Sequence, residues 1–219
     1  MIDCFLAIDF DGTIADVDVT DTVLSQFASD EWLEIEKRWD SGEIGAQQCL
    51  AEQMELIGAD LNTVLDFVDT VTIDPGFGKF VTFVRAVGLA HAIISDGFCV
   101  FIRRILVKAG IIGVPVFANY LLERDGKLNV SYANSFPGCP AGTCKCAVVD
   151  RLKMNLPVVL IGDGRSDFCL ADKADFVFAK GRLSEYCRER KLPYLEYENF
   201  SEVIKGLKQL SDHDLQQVG

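Results

Sequence analysis

Two aspartates, Asp9 and Asp11, stand two positions apart just after an apolar run near the N-terminus. Residues 4–8 predict a buried strand, and a period of two would point both carboxylates in the same direction. Gly12 and Thr13 then break the strand and allow a tight loop with free backbone N–H groups. Two carboxylates at the carboxyl end of a parallel strand suit a hard divalent cation and an anionic nucleophile. The alternative is an acidic turn that only closes the strand.

Two further polar sites lie later in the chain, one after an apolar run and one before a predicted helix. Ser95, Asp96 and Gly97 come after residues 89–94, where a hydroxyl and the N–H groups that open the next helix can hold phosphate oxygens. The alternative there is a simple helix N-cap. Lys145 precedes a helix predicted near residue 147, and its ammonium can neutralise a developing phosphoryl charge. A surface lysine is the alternative at that position.

A glycine-rich acidic loop completes the set of candidate groups. Residues 162–167 read Gly-Asp-Gly-Arg-Ser-Asp and follow the apolar residues 157–161. The glycines permit close backbone approach, and Asp163 and Asp167 add two carboxylates. All four places fall where an open α/β sheet binds its ligands, so together they indicate one site.

Strand-like and helix-like segments alternate along most of the chain. Strands are predicted at residues 4–8, 89–94, 114–118, 157–161 and 175–178. Helices are predicted at residues 77–87, 100–109, 147–152 and 183–191. This alternation indicates a parallel sheet covered by helices. Residues 119–134 break the alternation, and the pair Asp125-Gly126 within them predicts a small β-hairpin beside the sheet.

A second exception runs from residue 16 to residue 72, where only helical patterns occur. Ser29 predicts an N-cap, and Trp32, Ile35 and Trp39 follow at helical spacing. An all-helical insert directly after the first strand predicts a lid over the strand ends. We expect the aromatic stripe to form the core of that lid, not a cofactor site.

Composition limits the classes of function. With 219 residues, 49% hydrophobic and 25% charged, the chain suits one core, or a core with a small insert. No apolar run approaches the ~18 residues of a membrane-spanning helix, and no signal peptide is evident, which predicts a cytoplasmic protein. The net charge of −12 opposes binding to nucleic acid or anionic membranes. Any phosphate site must therefore be locally positive.

Eight cysteines occur without a secretory signal, so we expect reduced thiols. Cys139, Cys144 and Cys146 also suggest a zinc site as an alternative. No fourth Cys or His follows them at zinc-finger spacing, which favours structural thiols.

The order DxDGT, Ser, Lys and GDGxxD resembles the haloacid dehalogenase superfamily of phosphohydrolases over residues 9–167. A helical insert after the first motif resembles the branch that contains phosphoserine phosphatase. The spacing and the cysteine-flanked Lys145 are most similar to the 2-hydroxy-3-keto-5-methylthiopentenyl-1-phosphate phosphatases of methionine salvage. Ser95-Asp96 and the Cys-Pro…Cys-Lys run also resemble the phosphoethanolamine/phosphocholine phosphatases.

The resemblance implies a Rossmann-like, doubly wound parallel sheet with a helical cap inserted after the first strand. The core would comprise residues 1–15 and 73–219, and the cap residues 16–72. Asp9 would be the nucleophile that forms an aspartyl-phosphate. Asp11 would protonate the leaving oxygen and then activate water.

The resemblance also implies a Mg²⁺ site and a phosphoryl site. Asp9, Asp163 and Asp11, the last through its main-chain carbonyl, would hold Mg²⁺, with Asp167 as a supporting carboxylate. Ser95 and Lys145 would bind the transferring phosphoryl group. These roles agree with what phosphoryl transfer needs, which is positioning and charge neutralisation.

Four residues are expected to contact the substrate: Asp18, Gln53, Asp96 and Gly97. Gln53 stands where phosphoserine phosphatases carry an arginine for the substrate carboxylate, and Asp96 replaces a glycine of their Ser-Gly-Gly motif. The acidic Asp18 and Asp96 at the mouth disfavour a carboxylate-bearing substrate such as phosphoserine and favour an amine or a polyol.

The sequence thus predicts a Mg²⁺-dependent phosphatase that acts on a small phosphorylated metabolite. A phosphotransferase or mutase, a dehalogenase, and a non-catalytic phosphate-binding module on the same fold are the alternatives. Serine hydrolase chemistry is disfavoured because the chain has no G-x-S-x-G motif. The identity of the metabolite and the oligomeric state are left open.

Overall fold

A computed structural model describes residues 3–210. The predicted core domain, residues 1–15 and 73–219, also includes residues 1–2 and 211–219, which lie outside the described residues. The strands are β1 Phe5–Ile8, β2 Ala90–Phe98, β3 Val116–Arg124, β4 Lys127–Ser131, β5 Val158–Gly162, β6 Phe176–Ala179 and β7 Tyr194–Glu196. The helices are α1 Val19–Phe27, α2 Trp32–Asp40, α3 Ala46–Glu55, α4 Leu61–Val68, α5 Phe77–Ala86, α6 Cys99–Lys108, α7 Lys145–Leu152, α8 Phe168–Ala171, α9 Gly181–Arg190 and α10 Phe200–Gln209.

The seven strands form one sheet in the order β4-β3-β2-β1-β5-β6-β7. Every neighbouring pair is parallel except β3 and β4. The central strand β1 pairs with β2 on one side and β5 on the other, and Ile8 stands beside both Ile93 and Ile161. The strands that follow β1 in the chain lie on one side of it up to β4 and on the other side from β5 onward. Such a reversal of strand order opens a crevice at the carboxyl ends of β1 and β5. The expected doubly wound α/β fold is confirmed.

Alternation along β1 divides the core into two layers. Leu6 and Ile8 face a cluster that includes Phe80 of α5, Ile102 of α6 and Phe200 of α10. Phe5 and Ala7 of the same strand face the other layer. There they join a cluster that includes Val148 and Val149 of α7 and Leu183 of α9. A strand that is apolar on both faces is what a parallel sheet covered by two helical layers requires.

The predicted hairpin is present. Strands β3 and β4 pair from Tyr120↔Ser131 to Arg124↔Lys127, and the two residues between them are Asp125 and Gly126. Both have positive φ, 51° and 72°, as the favoured two-residue hairpin turn requires. The hairpin adds β4 to the edge of the main sheet.

The second strand departs from the sequence prediction. Strand β2 runs four residues further than expected, and Ser95, Asp96 and Gly97 lie within it. The register shifts between Ile94 and Phe98, so the strand bulges at these residues. Helix α6 begins at Cys99, one residue before its predicted start, and its N-cap is Phe98, so the alternative of an N-cap at residues 95–97 was wrong.

Helices α1 to α4 lie between β1 and α5, in agreement with the helical pattern of residues 16–72. The chain enters and leaves this segment at one place, because Ala15 and Ile73 form an antiparallel bridge. Helix α2 begins at Trp32 after the N-cap Glu31, so the N-cap predicted at Ser29 was wrong. None of the described helices combines the length and apolarity needed to cross a membrane.

Asp74, which the sequence analysis did not single out, joins the beginnings of α5 and α10. Its buried carboxylate accepts hydrogen bonds from the N–H groups of Gly76 (2.6 Å) and Phe200 (2.8 Å). We expect Asp74→Ala to lower the free energy of unfolding by about 2–4 kcal/mol, because two buried N–H groups lose their acceptor. Chemical denaturation measures this change. Asp66→Ala, at an exposed ion pair, is the control and should cost at most ~1 kcal/mol; equal effects would contradict the prediction.

Candidate active site

A cavity of ≈ 260 Å³ opens between the carboxyl edge of the sheet and helices α1 to α3. Of the predicted site residues, those that line it are Asp9, Asp11, Asp18, Gln53, Ser95, Asp96, Gly97 and Asp163. Lys145 and Asp167 are buried beside the cavity and contact its lining residues. The structure therefore brings all ten predicted residues together, from five separate segments of the chain.

Lys145 lies at the centre of the buried charges. Its Nζ is 2.6 Å from Asp9 Oδ2 and 2.6 Å from Asp167 Oδ1, and it donates to Ser166 Oγ at 3.0 Å. Burial opposes the ammonium charge, but Asp167 and Asp9 outweigh it and raise the pKa of Lys145 above its usual range. Lys145 is the first residue of α7, whose expected start near residue 147 was two residues late. A permanent positive charge therefore lies against the Asp9 carboxylate.

Asp163 follows β5 and faces Asp9 across the crevice. Thr13 Oγ1 donates to its Oδ1 at 2.7 Å, and a Cβ at Gly12 would lie 2.4 Å from its Oδ2. Only glycine leaves room for the carboxylate at that point, and Gly12 also has a positive φ of 64°. Burial, and then the Asp9 charge, raise the pKa of Asp163 to about 6.

Asp167 orients the acidic loop. Its Oδ2 accepts from the N–H groups of Asp163 (3.2 Å) and Gly164 (3.3 Å), while its Oδ1 contacts Lys145. Burial, and then the Asp9 charge, raise its pKa to about 7. Since both oxygens already have partners, the geometry fits a supporting carboxylate.

The donor set suits a hard cation. One oxygen from each of Asp9, Asp163 and Asp167 lies within 4.8 Å of the others. Carboxylate oxygens are the ligands that Mg²⁺ and Ca²⁺ prefer. Burial first, and the Asp9 charge second, raise the pKa values of Asp163 and Asp167, and a divalent cation bound there would favour their ionised forms. The residues present therefore fit a metal site.

Asp11 lies beyond the end of β1, so the strand period does not orient it, yet its carboxylate reaches the same cavity. Its Oδ1 accepts from the N–H of Val19 at 3.0 Å, and its Oδ2 accepts from Ser95 Oγ at 3.1 Å. Burial, and then the charges of Asp18 and Asp9, raise the pKa of Asp11 well above its usual range. A protonated Asp11 can donate to an oxygen in the cavity.

The loop N–H groups predicted to be free are not free. The N–H of Gly12 donates to the carbonyl of Val17 at 3.1 Å, and the N–H of Thr13 donates to that of Phe10 at 3.2 Å. These groups form the turn that follows β1. Positive charge at the site therefore comes from side chains, namely Lys145 and the cavity-lining Arg165 and Arg182, and from any bound metal.

Asp96 is held more firmly than the sequence analysis expected. Its Oδ1 accepts from the N–H of Thr143 at 2.7 Å and from Asn119 Nδ2 at 3.1 Å. Burial raises its pKa despite these bonds. Asp96 thus fixes the loop before α7 and also lines the cavity.

The helical wall of the cavity contains acidic residues that sequence reasoning missed. Glu36 Oε2 accepts from Gln53 Nε2 at 2.8 Å, so Gln53 faces an acid. Asp18 caps α1 by accepting from the N–H of Asp21, and both line the cavity. Burial, and then Asp18 and Glu36, raise the pKa of Asp21 to about 8. The period of α2 places Glu36 one turn from Trp32, but only the packing of α2 on α3 shows that it reaches the cavity.

Arg165 of the acidic loop binds the end of α2. It donates to the carbonyls of Trp39 (2.7 Å) and Asp40 (2.8 Å), and its guanidinium lies 5.0 Å from the centre of the Trp39 ring. A cation is favourable at a helix C-terminus, where carbonyls lack intrahelical partners. Trp32 is buried as expected, but Trp39 lines the cavity, so the aromatic stripe only partly forms a helical core.

Gly97 packs closely against Asp11. A Cβ at Gly97 would lie 2.5 Å from Asp11 Oδ2 and 3.2 Å from Ser95 Oγ. We expect Gly97→Ala to lower kcat about 10²-fold, because displacing a reacting group by about 1 Å has that cost. Steady-state kinetics measures this loss. Gly78→Ala on α5, where the nearest atom to the new Cβ is 3.9 Å away, is the matched control and should retain full activity. Unchanged kcat in Gly97→Ala would contradict the prediction.

Comparison with known proteins gives two kinds of match. The chain matches the family model described as Putative Phosphatase over residues 4–191. It is 30% identical over 210 residues to a 2-hydroxy-3-keto-5-methylthiopentenyl-1-phosphate phosphatase of Brevibacillus brevis, covering 92% of this chain and 94% of the relative. The protein of the same name from Bacillus velezensis is 29% identical over 211 residues, covering 93% and 89%.

Solved structures agree with the fold. A substrate-bound phosphoserine phosphatase complex has a TM-score of 0.69 and 20% identity, covering 94% of this chain and 99% of that chain. A phospho-aspartyl intermediate analogue of phosphoserine phosphatase has a TM-score of 0.65 and 22% identity, with the same coverage. The family-model match and the sequence relatives show that the chain belongs to the Putative Phosphatase family and is a hydrolase of phosphomonoesters, and the phosphoserine phosphatase structures share its fold.

Proposed function

We propose that this phosphatase uses Mg²⁺ and hydrolyses a small-molecule phosphomonoester through an aspartyl-phosphate on Asp9. The observation that carries the proposal is the position of the Asp9 carboxylate, which lines the cavity and contacts Lys145 while facing Asp163. A nucleophile, a fixed cation and a further metal-binding carboxylate at one point are what phosphoryl transfer requires.

Asp9, Asp163 and the main-chain carbonyl of Asp11 would hold Mg²⁺, with Asp167 orienting the loop. Bound there, Mg²⁺ would neutralise charge on the phosphoryl oxygens and allow an anionic substrate to approach an acidic site. The shared negative charge of the three aspartates in the donor set supports this assignment.

Each of four side chains would have its own role in the hydrolysis of the phosphomonoester. An oxygen of Asp9 attacks phosphorus, and the ester oxygen of the substrate leaves with the proton that Asp11 donates. Lys145 neutralises the charge that develops on the phosphoryl group, and Ser95 binds one of its oxygens. Asp11, now ionised, takes a proton from water, which attacks the phosphorus and releases Asp9 and phosphate. The raised pKa of Asp11 supports the first step, and its contact with Ser95 places it beside the group that would bind the phosphoryl oxygen.

We further propose that residues 16–72 act as a cap domain that excludes water and selects the leaving group. Asp18, Gln53, Asp96 and Gly97 would contact the substrate, and Glu36 joins them because it lines the same wall. The acidic wall favours a leaving group that carries an amine or several hydroxyls. A phosphoethanolamine- or phosphocholine-type substrate is therefore the second candidate beside the keto-phosphate named for the relatives. The cytoplasmic location remains a proposal from sequence.

Hydrolysis of a chromogenic aryl phosphate tests the class of mechanism. We expect activity to disappear in EDTA and to return with Mg²⁺, since the acidic site needs a cation to accept the phosphoryl group. Full activity after metal removal would contradict the metal assignment.

Ranking substrates by kcat/KM then tests the proposed selectivity. The panel comprises phosphoethanolamine, phosphocholine, 2-hydroxy-3-keto-5-methylthiopentenyl-1-phosphate, sugar phosphates and phosphoserine. Phosphoserine should rank lowest because its carboxylate would meet Asp18 and Glu36. If phosphoserine had the highest kcat/KM of the panel, the proposal that Asp18 and Glu36 disfavour a carboxylate-bearing substrate would be wrong.

A further inference from the structure

Two thiols that the proposed mechanism does not use lie beside its catalytic groups. Cys146 Sγ and Cys169 Sγ are 3.4 Å apart, although the residues are 23 positions apart in the chain. Cys146 is buried in the first turn of α7, whereas Cys169 on α8 is exposed. All eight cysteines are free thiols in the structure. This pair is therefore in reach of a disulfide and open to solvent from one side.

The two thiols flank the buried ion pair of the active site. Cys146 directly follows Lys145, and Cys169 is two residues after Asp167. Lys145 Nζ and Asp167 Oδ1 are 2.6 Å apart. Any bond between the two sulfurs therefore connects the segments that carry Lys145 and Asp167.

The surroundings make the two thiols unequal. Burial, and then Cys169, raise the pKa of Cys146 to about 12, so Cys146 is a poor first nucleophile. Cys169 is accessible to a solute. Cys146 and Cys169 also raise the pKa of the Lys173 ammonium.

We propose that Cys146 and Cys169 form an oxidisable dithiol that a peroxide converts to a disulfide, and that this disulfide lowers turnover. The Cys169 thiolate attacks one peroxide oxygen, the O–O bond breaks, and hydroxide leaves, which gives a sulfenic acid. The Cys146 sulfur then attacks the Cys169 sulfur and displaces hydroxide, which takes the Cys146 proton as water. In total, two thiols and one hydrogen peroxide give one disulfide and two water molecules.

Disulfide formation would constrain the active site. The sulfurs approach from 3.4 Å to about 2.05 Å, and the narrow geometry of the new bond ties α7 to α8. Lys145 is one residue from Cys146, and Asp167 is two residues from Cys169. A displacement of a reacting group by about 1 Å lowers the rate by ~10²-fold. We expect the oxidised protein to lose at least about tenfold in kcat and to recover with dithiothreitol.

The experiment treats the full-length protein with increasing hydrogen peroxide, then alkylates and digests it. Mass spectrometry should find a peptide pair linked through Cys146 and Cys169, and its yield should follow the loss of aryl phosphate hydrolysis. Cys169→Ser should give no such link and should keep its activity after peroxide. Cys139→Ser, which removes a half-exposed thiol from a neighbouring loop, is the matched control and should behave as wild type.

Three results would overturn the proposal. They are the absence of the Cys146–Cys169 link in inactivated protein, a linked protein with unchanged kcat, and equal peroxide sensitivity in Cys169→Ser. The inhibitory part rests on the proposed function, whereas the peptide analysis does not. A reduced protein that hydrolyses no phosphomonoester would refute the proposed function alone, because the link is detected without any activity measurement.

Discussion

We expect Asp9→Asn to abolish hydrolysis, with a loss in kcat on the order of 10⁴-fold or more, as removal of a catalytic nucleophile produces. The amide keeps the shape of the side chain but cannot form the phosphoryl ester. Initial rates with an aryl phosphate measure the loss. Mass spectrometry of the acid-quenched enzyme provides a second measurement, since wild type should carry a phosphoryl group on the peptide that contains Asp9.

Asp16→Asn is the control for this substitution. Asp16 is exposed and seven residues along the same segment, so the control also removes one negative charge near the N-terminus. It should keep wild-type rates. Asp9→Asn with residual activity near wild type, or a phosphorylated peptide that excludes Asp9, would refute the assigned nucleophile. Thermal unfolding of both variants separates a chemical loss from a failure to fold.

Lys145→Met should damage both activity and stability. The lysine is 5% exposed, and its removal leaves the buried carboxylates of Asp9 and Asp167 without their shared cation. Breaking a buried ion pair from one side costs about 3–5 kcal/mol in unfolding free energy. Loss of a fixed charge at the transferring group should also lower kcat about 10²–10³-fold, the range seen when one stabilising donor is removed. Urea denaturation and steady-state kinetics measure the two effects.

The C-terminal end of the same helix provides a matched control. Lys153 forms only an exposed pair with Asp150, at 3.4 Å. Lys153→Met should therefore change the unfolding free energy by at most ~1 kcal/mol and leave kcat unchanged. If Lys145→Met were as stable and active as Lys153→Met, the proposed roles of Lys145 in stabilising the buried carboxylates and in catalysis would be wrong.

The positions of Asp9 and Asp163 could be predicted from the sequence because each follows an apolar run, and parallel strands place their carboxyl ends at one edge. Lys145 follows no strand, and only the family resemblance indicated that it belongs to the same site. The end of β2 could not be predicted in this way. Ser95, Asp96 and Gly97 have the composition of a turn, and only the bulged pairing with β3 keeps them in the strand.

The residues that sequence reasoning missed depend on contacts between distant segments. Glu36 and Arg165 acquire their roles where α2 packs against α3 and against the acidic loop. The pair formed by Cys146 and Cys169 likewise exists only because α7 and α8 are neighbours. Strand β7 was missed because three residues give too short a period to recognise, and α10 was not predicted either.

The bridge between Ala15 and Ile73 has an evolutionary consequence. The chain leaves the sheet and returns to it through adjacent backbones, and the N–H of Asp74 donates to the carbonyl of Ile14 at 2.9 Å beside the bridge. A segment grafted at a single point can lengthen, shorten or be exchanged for another without altering the spacing of Asp9, Lys145 and Asp163. If residues 16–72 select the leaving group as proposed, substrate preference can therefore change within them while the reaction stays the same.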